Sequence, residues 1–177
     1  MTVMVALLRG VNVGGGTTVP MADLRRVVSE AGYHDVRTYV NSGNVLLTAG
    51  STDTEEVAST LRAACAAAFP VAPDVVVRTR DELRAVLGAN PFLDRDDDPT
   101  HHHVVFLPGR EPARLPDVEV EEPEALAAVG REVYLFLPHG AGRSRLAARM
   151  AGRAGGGGTA RNWRTVTTLA RMADQAL

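Results

Sequence analysis

The order of short apolar runs and helical periodicities over residues 3–79 constrains this chain more than any other feature. Val3–Leu8 is an unbroken apolar run ending at Arg9-Gly10, the pattern of a buried strand. After Pro20, residues Leu24, Val27, Val28 and Ala31 recur at the spacing of one helix face. Pro20 can occupy the first turn, where its missing N–H costs nothing, and Gly32 stops the pattern. Val36–Val40 and Val45–Thr48 read as strands joined by Asn41-Ser42-Gly43-Asn44, residue types that form tight turns. From Asp53 to Phe69, the residues Val57, Leu61, Cys65 and Phe69 draw a second helical stripe, and Pro70 and Pro73 separate it from the strand Val75–Thr79. The resulting βαββαβ order has a simple packed solution in the α+β class, a four-stranded antiparallel sheet with both helices on one face.

The second half is written less clearly. Asp81–Leu87 reads as a helix with Asp81 as its cap, His102–Leu107 and Glu132–Leu137 as strands, and Val118–Val120 as a further strand. Two helices are expected at the end, Ser144–Arg153 and Ala160–Ala173. No clear internal repeat is visible, although this half could be a degenerate copy of the first. The division expected is 1–80 for the first α+β subdomain and 81–177 for the second.

With 177 residues the chain is long enough for one large domain or two small ones sharing a core. Its single cysteine, Cys65, cannot form an internal disulfide and falls on a helix face, which fits a reducing cytoplasm. No leader and no apolar run of membrane-spanning length is read, so export and membrane insertion are not expected. Net charge is −2, yet acids crowd the stretch from Glu111 to Glu124 while arginines dominate from Arg131 onward. Lysine is absent, which excludes a Schiff-base lysine and a phosphate-loop lysine; an anion must be held by arginine, by backbone N–H groups or by a metal.

The strings ALLRGVNVGGG (6–16), VPMADLRRVV (19–28), TYVNSGNVLL (38–47), NPF (90–92) and TARNWRTVTTLARMA (159–173) occur in one order that resembles the bacterial family of domains of unknown function numbered 1697. The likeness runs from about residue 3 to 172. It implies two ferredoxin-like α+β subdomains, the second smaller, and brings no established activity. The glycine run 155–158 and the missing lysines depart from the family's pattern.

The first place for chemistry is the loop from Arg9 through Gly10, Asn12, Gly14 and Gly15 to Gly16, because glycines let backbone N–H groups approach an anion and the loop feeds a helix N-terminus. Arg9 could clamp an anion with two parallel hydrogen bonds and Asn12 add a directional contact. The loop has neither the ending of a phosphate-binding loop nor the dinucleotide spacing, and a plain strand-to-helix connection needing positive φ explains it as well. Asn41, Ser42 and Asn44 resemble it chemically, although a hairpin turn accounts for them alone, and the two segments need not share a sheet edge.

The third cluster, Arg161-Asn162 with Trp163 and Arg164, is expected at the start of the last helix with Thr159 as its cap. The tryptophan belongs to a stripe with Val166, Leu169 or Ala170, and Ala173, which reads as core. Arg145, Arg149 and Arg153 lie one helical turn apart and form either a solvated face or a phosphate or RNA contact. His101 and His103 would share a strand face, but nothing closes a metal site around them, and His139 has no local partner. Neither metal nor cofactor is expected. The leading expectation is binding of a small anionic ligand, nucleotide or phosphate-like, at the Arg9 loop. RNA binding by the C-terminal arginines and an enzyme of unidentified reaction are the alternatives. Tyr39 stands nearly alone on its sheet, which argues against base stacking there.

Overall fold

The computed structural model describes residues 1–15, 18–151 and 156–176. They group into two compact units, Met1–Leu83 together with the chain from Leu169, and Arg84–Thr168. The first is built around β1 (Thr2–Leu8), flanked by β3 (Asn44–Ala49) and β4 (Val75–Thr79). The polar β2 (His34–Tyr39) lies outside β3, an edge position where exposed side chains are no liability. The order β2-β3-β1-β4 with all pairings antiparallel, crossed by α1 (Met21–Glu30) and α2 (Thr54–Ala68), is the ferredoxin-like arrangement.

Alternate strand residues explain the packing. Met4, Ala6 and Leu8 of β1, Val45 and Leu47 of β3 and Val75 and Val77 of β4 meet Leu24 and Val28 of α1 and Val57, Leu61 and Cys65 of α2. Each fully buried aliphatic side chain there contributes roughly 1.5–3 kcal/mol. The intervening residues Val3, Val5, Leu7, Leu46, Val76 and Arg78 are buried as well, so neither face of β1, β3 and β4 is solvated. Pro20 stands one position before its expected place, as the residue that caps α1; its carbonyl accepts from Leu24 N–H at 3.0 Å. Asp53 caps α2 through Oδ1, which accepts from Glu55 N–H at 3.0 Å and Glu56 N–H at 3.3 Å.

In the second unit β5 (His102–Phe106), β6 (Ala125–Val129), β7 (Glu132–Phe136) and β8 (Thr159–Asn162) form a sheet of order β6-β7-β5-β8, also antiparallel throughout. Strand for strand this repeats the first sheet. α4 (Arg145–Ala151) joins β7 to β8 as α2 joins β3 to β4. Between β5 and β6, where the first unit has α1, residues 107–124 form no helix; Leu107, Ala113 and Val118 instead pack on the core of Val105, Val133, Leu135, Leu137, Leu146 and Met150. α3 (Arg80–Ala89) precedes this sheet and α5 (Trp163–Asp174) follows it.

Two expectations are corrected. Val118–Val120 is not a strand: Val118 N–H donates to Pro116 O at 3.0 Å in a turn, and the outer strand is β6, which a two-residue Gly130-Arg131 turn sets directly beside β7. Ala160–Asn162 are not helical: with Thr159 they pair with Phe106, Val105, Val104 and His103 of β5. Helix α5 therefore starts at Trp163, and its cap is Asn162, whose Oδ1 accepts Thr165 N–H at 2.9 Å, in place of Thr159. Trp163, Val166, Leu169, Ala170 and Ala173 are buried, as their stripe indicates. Arg153 lies outside the described residues.

Candidate functional site

Because β1 and β3 run antiparallel with Leu7 opposite Asn44, the end of β1 lies beside the start of β3. This brings the glycine-rich loop onto the 41–44 turn, a juxtaposition that the sequence leaves open. Leu8 N–H donates to Gly43 O at 2.9 Å. Asn12, at φ +56°, ties three segments together. Its Nδ2 donates to Val19 O and to Asn41 O, each at 2.9 Å, and lies 3.2 Å from Asn41 Oδ1, while its Oδ1 accepts Val19 N–H at 2.7 Å. The amide thus pins both ends of the loop and joins it to the turn.

The turn is held from within. Asn44 is fully buried, and its Nδ2 donates to Tyr39 O and Ser42 Oγ, both at 3.1 Å. Gly43 has φ +82°, and a Cβ there would lie 2.9 Å from Leu8 Cβ, so glycine is required by space as well as by backbone angle. Val40, at φ +49°, puts a β-branched residue in the left-handed region, which costs roughly 1–2 kcal/mol. Gly10, Gly14 and Gly15 also have positive φ, between 70° and 75°, but face open space. Val13, Gly14 and Gly15 are exposed, and among the described residues their N–H groups donate to no protein acceptor. Arg9 is half-buried, and its N–H donates to Asp74 O at 2.9 Å.

Arg161 and Asn162 lie in the second unit. Arg161 Nη1 donates to Thr159 Oγ1 at 2.7 Å and to Ala160 O at 2.8 Å. Desolvation pushes the guanidinium down to about 10, still cationic at neutral pH. In the sheet Asn162 stands opposite His103, so the arginine-asparagine cluster and the histidine run are neighbours. His101 precedes β5, its Nδ1 2.7 Å from Asp96 Oδ2 and its Nε2 3.5 Å from Asp98 Oδ2. The Asp98 N–H and His101 hold the Asp96 carboxyl below the usual range; Thr100, through hydroxyl and N–H, does the same for Asp98, helped by the charges of His101 and Arg164. His102 is buried, with Nε2 2.8 Å from Asp96 O and its ring 5.3 Å from that of Phe136. Burial, then the neighbouring histidines, lowers the His103 pKa. The run Asp96–Asp98 stands just before the histidines in the sequence, and its pairing with His101 follows from the local turns that these residue types and Thr100 close. Among the described residues no group of three or more His, Cys, Asp or Glu side chains could hold a metal ion.

No helix among the described residues is long and apolar enough to cross a membrane. The sequence profile of a family described as "Protein of unknown function (DUF1697)" matches residues 1–134. No curated protein matches the chain. A solved structure described as that of the conserved bacterial protein SP0830 from Streptococcus pneumoniae is similar with a TM-score of 0.73 and 22% identity, over 97% of this chain and 98% of that one. At this identity the likeness shows the fold.

Proposed function

Given that the chain belongs to the DUF1697 family, we propose that it is a cytoplasmic binding protein for a small anionic, phosphate-bearing ligand, held by Arg9 and the backbone of Val13–Gly15. The observation that carries this reading is the Asn12 clamp: it joins Asn12 to Val19 and Asn41, and among the described residues the N–H groups of Val13–Gly15 donate to no protein acceptor. Segments held in place before the ligand arrives lose less entropy on binding. The loop runs into α1, whose capping residue, Pro20, offers no side-chain acceptor to the first N–H groups, and such a helix start favours negative charge. In this reading Arg9 supplies charge, and Gly10, Gly14 and Gly15 supply backbone conformation. Asn12, Asn41, Ser42 and Asn44 position the loop without touching the ligand. The single, buried Cys65 supports the cytoplasmic part of the reading.

Thermal unfolding across phosphate, pyrophosphate and a nucleotide panel tests the proposal. A ligand at about 100 times its Kd stabilises by about 2.7 kcal/mol, well within detection. The expected result is a shift with at least one anion that Arg9→Ala abolishes. A flat panel, or a shift that Arg9→Ala leaves unchanged, rejects it.

A further inference from the structure

In the second unit a cleft of about 660 Å³ opens between the 119–124 segment and the start of α4, a volume typical of small-molecule sites. Its walls carry opposite charge. Glu119, Glu121, Glu122 and Glu124 line it from the 119–124 segment, and Arg143, Arg145 and Arg149 with His139 line it from the turn and helix after β7. Arg145 and Arg149 sit one turn apart on α4, while Leu146 between them points into the core and fixes the helix. Ser144 Oγ accepts Ala147 N–H at 3.0 Å and starts that helix after the 141–143 turn that carries Arg143. Among the described residues, none of these glutamates and arginines makes a side-chain hydrogen bond or an ion pair within 4.0 Å.

We infer that this cleft is a second ligand site, for a small zwitterion whose ammonium group faces the glutamates and whose carboxylate or phosphate faces the arginines. A polyanion laid along Arg145 and Arg149 would meet the carboxylates of the opposite wall, and a metal ion or polyamine drawn to the glutamates would meet the arginines. A molecule with both charges, separated by several bonds, satisfies both walls at once. Charge complementarity of this kind gives specificity by rejecting ligands that carry one charge alone. The site is independent of the Arg9 loop.

The test uses the full-length protein and charge-matched probes followed by calorimetry and by amide chemical shifts. Triglycine carries both charges, N-acetyl-triglycine only the anion, and triglycine amide only the cation; phosphoethanolamine replaces the carboxylate by phosphate and separates a peptide source from a phospholipid-headgroup source. One of the two zwitterions is expected to bind at least about tenfold more tightly than either singly charged peptide, a difference of about 1.4 kcal/mol. Arg145→Gln with Arg149→Gln is expected to erase the preference over triglycine amide, and Glu121→Gln with Glu122→Gln the preference over N-acetyl-triglycine, while Arg9→Ala changes neither. Binding of both zwitterions no tighter than that of the blocked peptides overturns the inference. So does the absence of binding by any probe, or tight, steeply salt-dependent binding of an RNA oligonucleotide that the Arg145→Gln, Arg149→Gln variant loses.

Discussion

Asn12 Nδ2 lies 2.9 Å from the carbonyl oxygen of Asn41, a side-chain bond to backbone across 29 positions of sequence. The same amide also pairs with both backbone groups of Val19. Asn12→Ala removes four hydrogen bonds at once and leaves the partly buried backbone groups of Val19 without these partners. A loss of roughly 1–3 kcal/mol is expected, which a urea titration measures. Asn12→Asp keeps an acceptor for Val19 N–H but has no donors, so it is expected to fall between wild type and Asn12→Ala.

Glycines at positive φ differ in what surrounds them. Gly43→Ala must place its methyl 2.9 Å from Leu8 Cβ, whereas Gly14→Ala at φ +75° meets nothing within 4 Å. The first substitution combines backbone strain with overpacking and is expected to cost about 2–5 kcal/mol; the second carries the strain alone, about 1–2 kcal/mol. Denaturation midpoints of the two variants make the comparison, and equal losses contradict it.

Acid is expected to destabilise the protein in two steps. The folded His103 binds its proton less readily than the unfolded chain, whose value is near 6.5. Its contribution is full above that value and is lost as pH falls from there through the lower folded value. Asp96 and Asp98 likewise have folded values below the ordinary 3.8, so their stabilisation holds above 3.8 and disappears as pH falls through the folded range. Stability measured against pH should lose its first step in His103→Gln and flatten in the second in Asp98→Asn.

Cys65 is buried, and desolvation raises its thiol pKa, so little thiolate forms near neutral pH. A thiol reagent is expected to label it only when α2 leaves the sheet. The labelling rate should rise with urea in step with loss of structure; rapid labelling of the native protein would contradict this packing.

The first unit was legible because its signals are local and agree with one another. The apolar run of β1, the Leu24-Val27-Val28 spacing and the Asp53 cap each specify one element, and their order leaves few packings. β6 escaped because Ala125–Val129 is mostly alanine and lacks the alternation of Val118–Val120, which imitates a strand without having a partner. β8 escaped because Thr159–Asn162 becomes a strand through pairing with β5, more than fifty residues earlier, which overrides the helical pattern that continues into Trp163. The Asn12 and Asn41 segments could each be singled out from residue type; their contact depends on the adjacency of β1 and β3, which only the sheet order supplies. The opposing charges of the second unit were visible as two separate runs, and nothing local paired them.

The two sheets share a strand order, yet the second is closed with one helix fewer. An α-helix covering a sheet must devote a broad stripe of its surface to packing. The 107–124 connection covers its part of the core with Leu107, Ala113 and Val118, freeing the stretch that follows from any such duty. In one unit that length of chain is spent on structure. In the other its tail is chemically uncommitted, and this vacancy in the architecture is where the acidic wall stands.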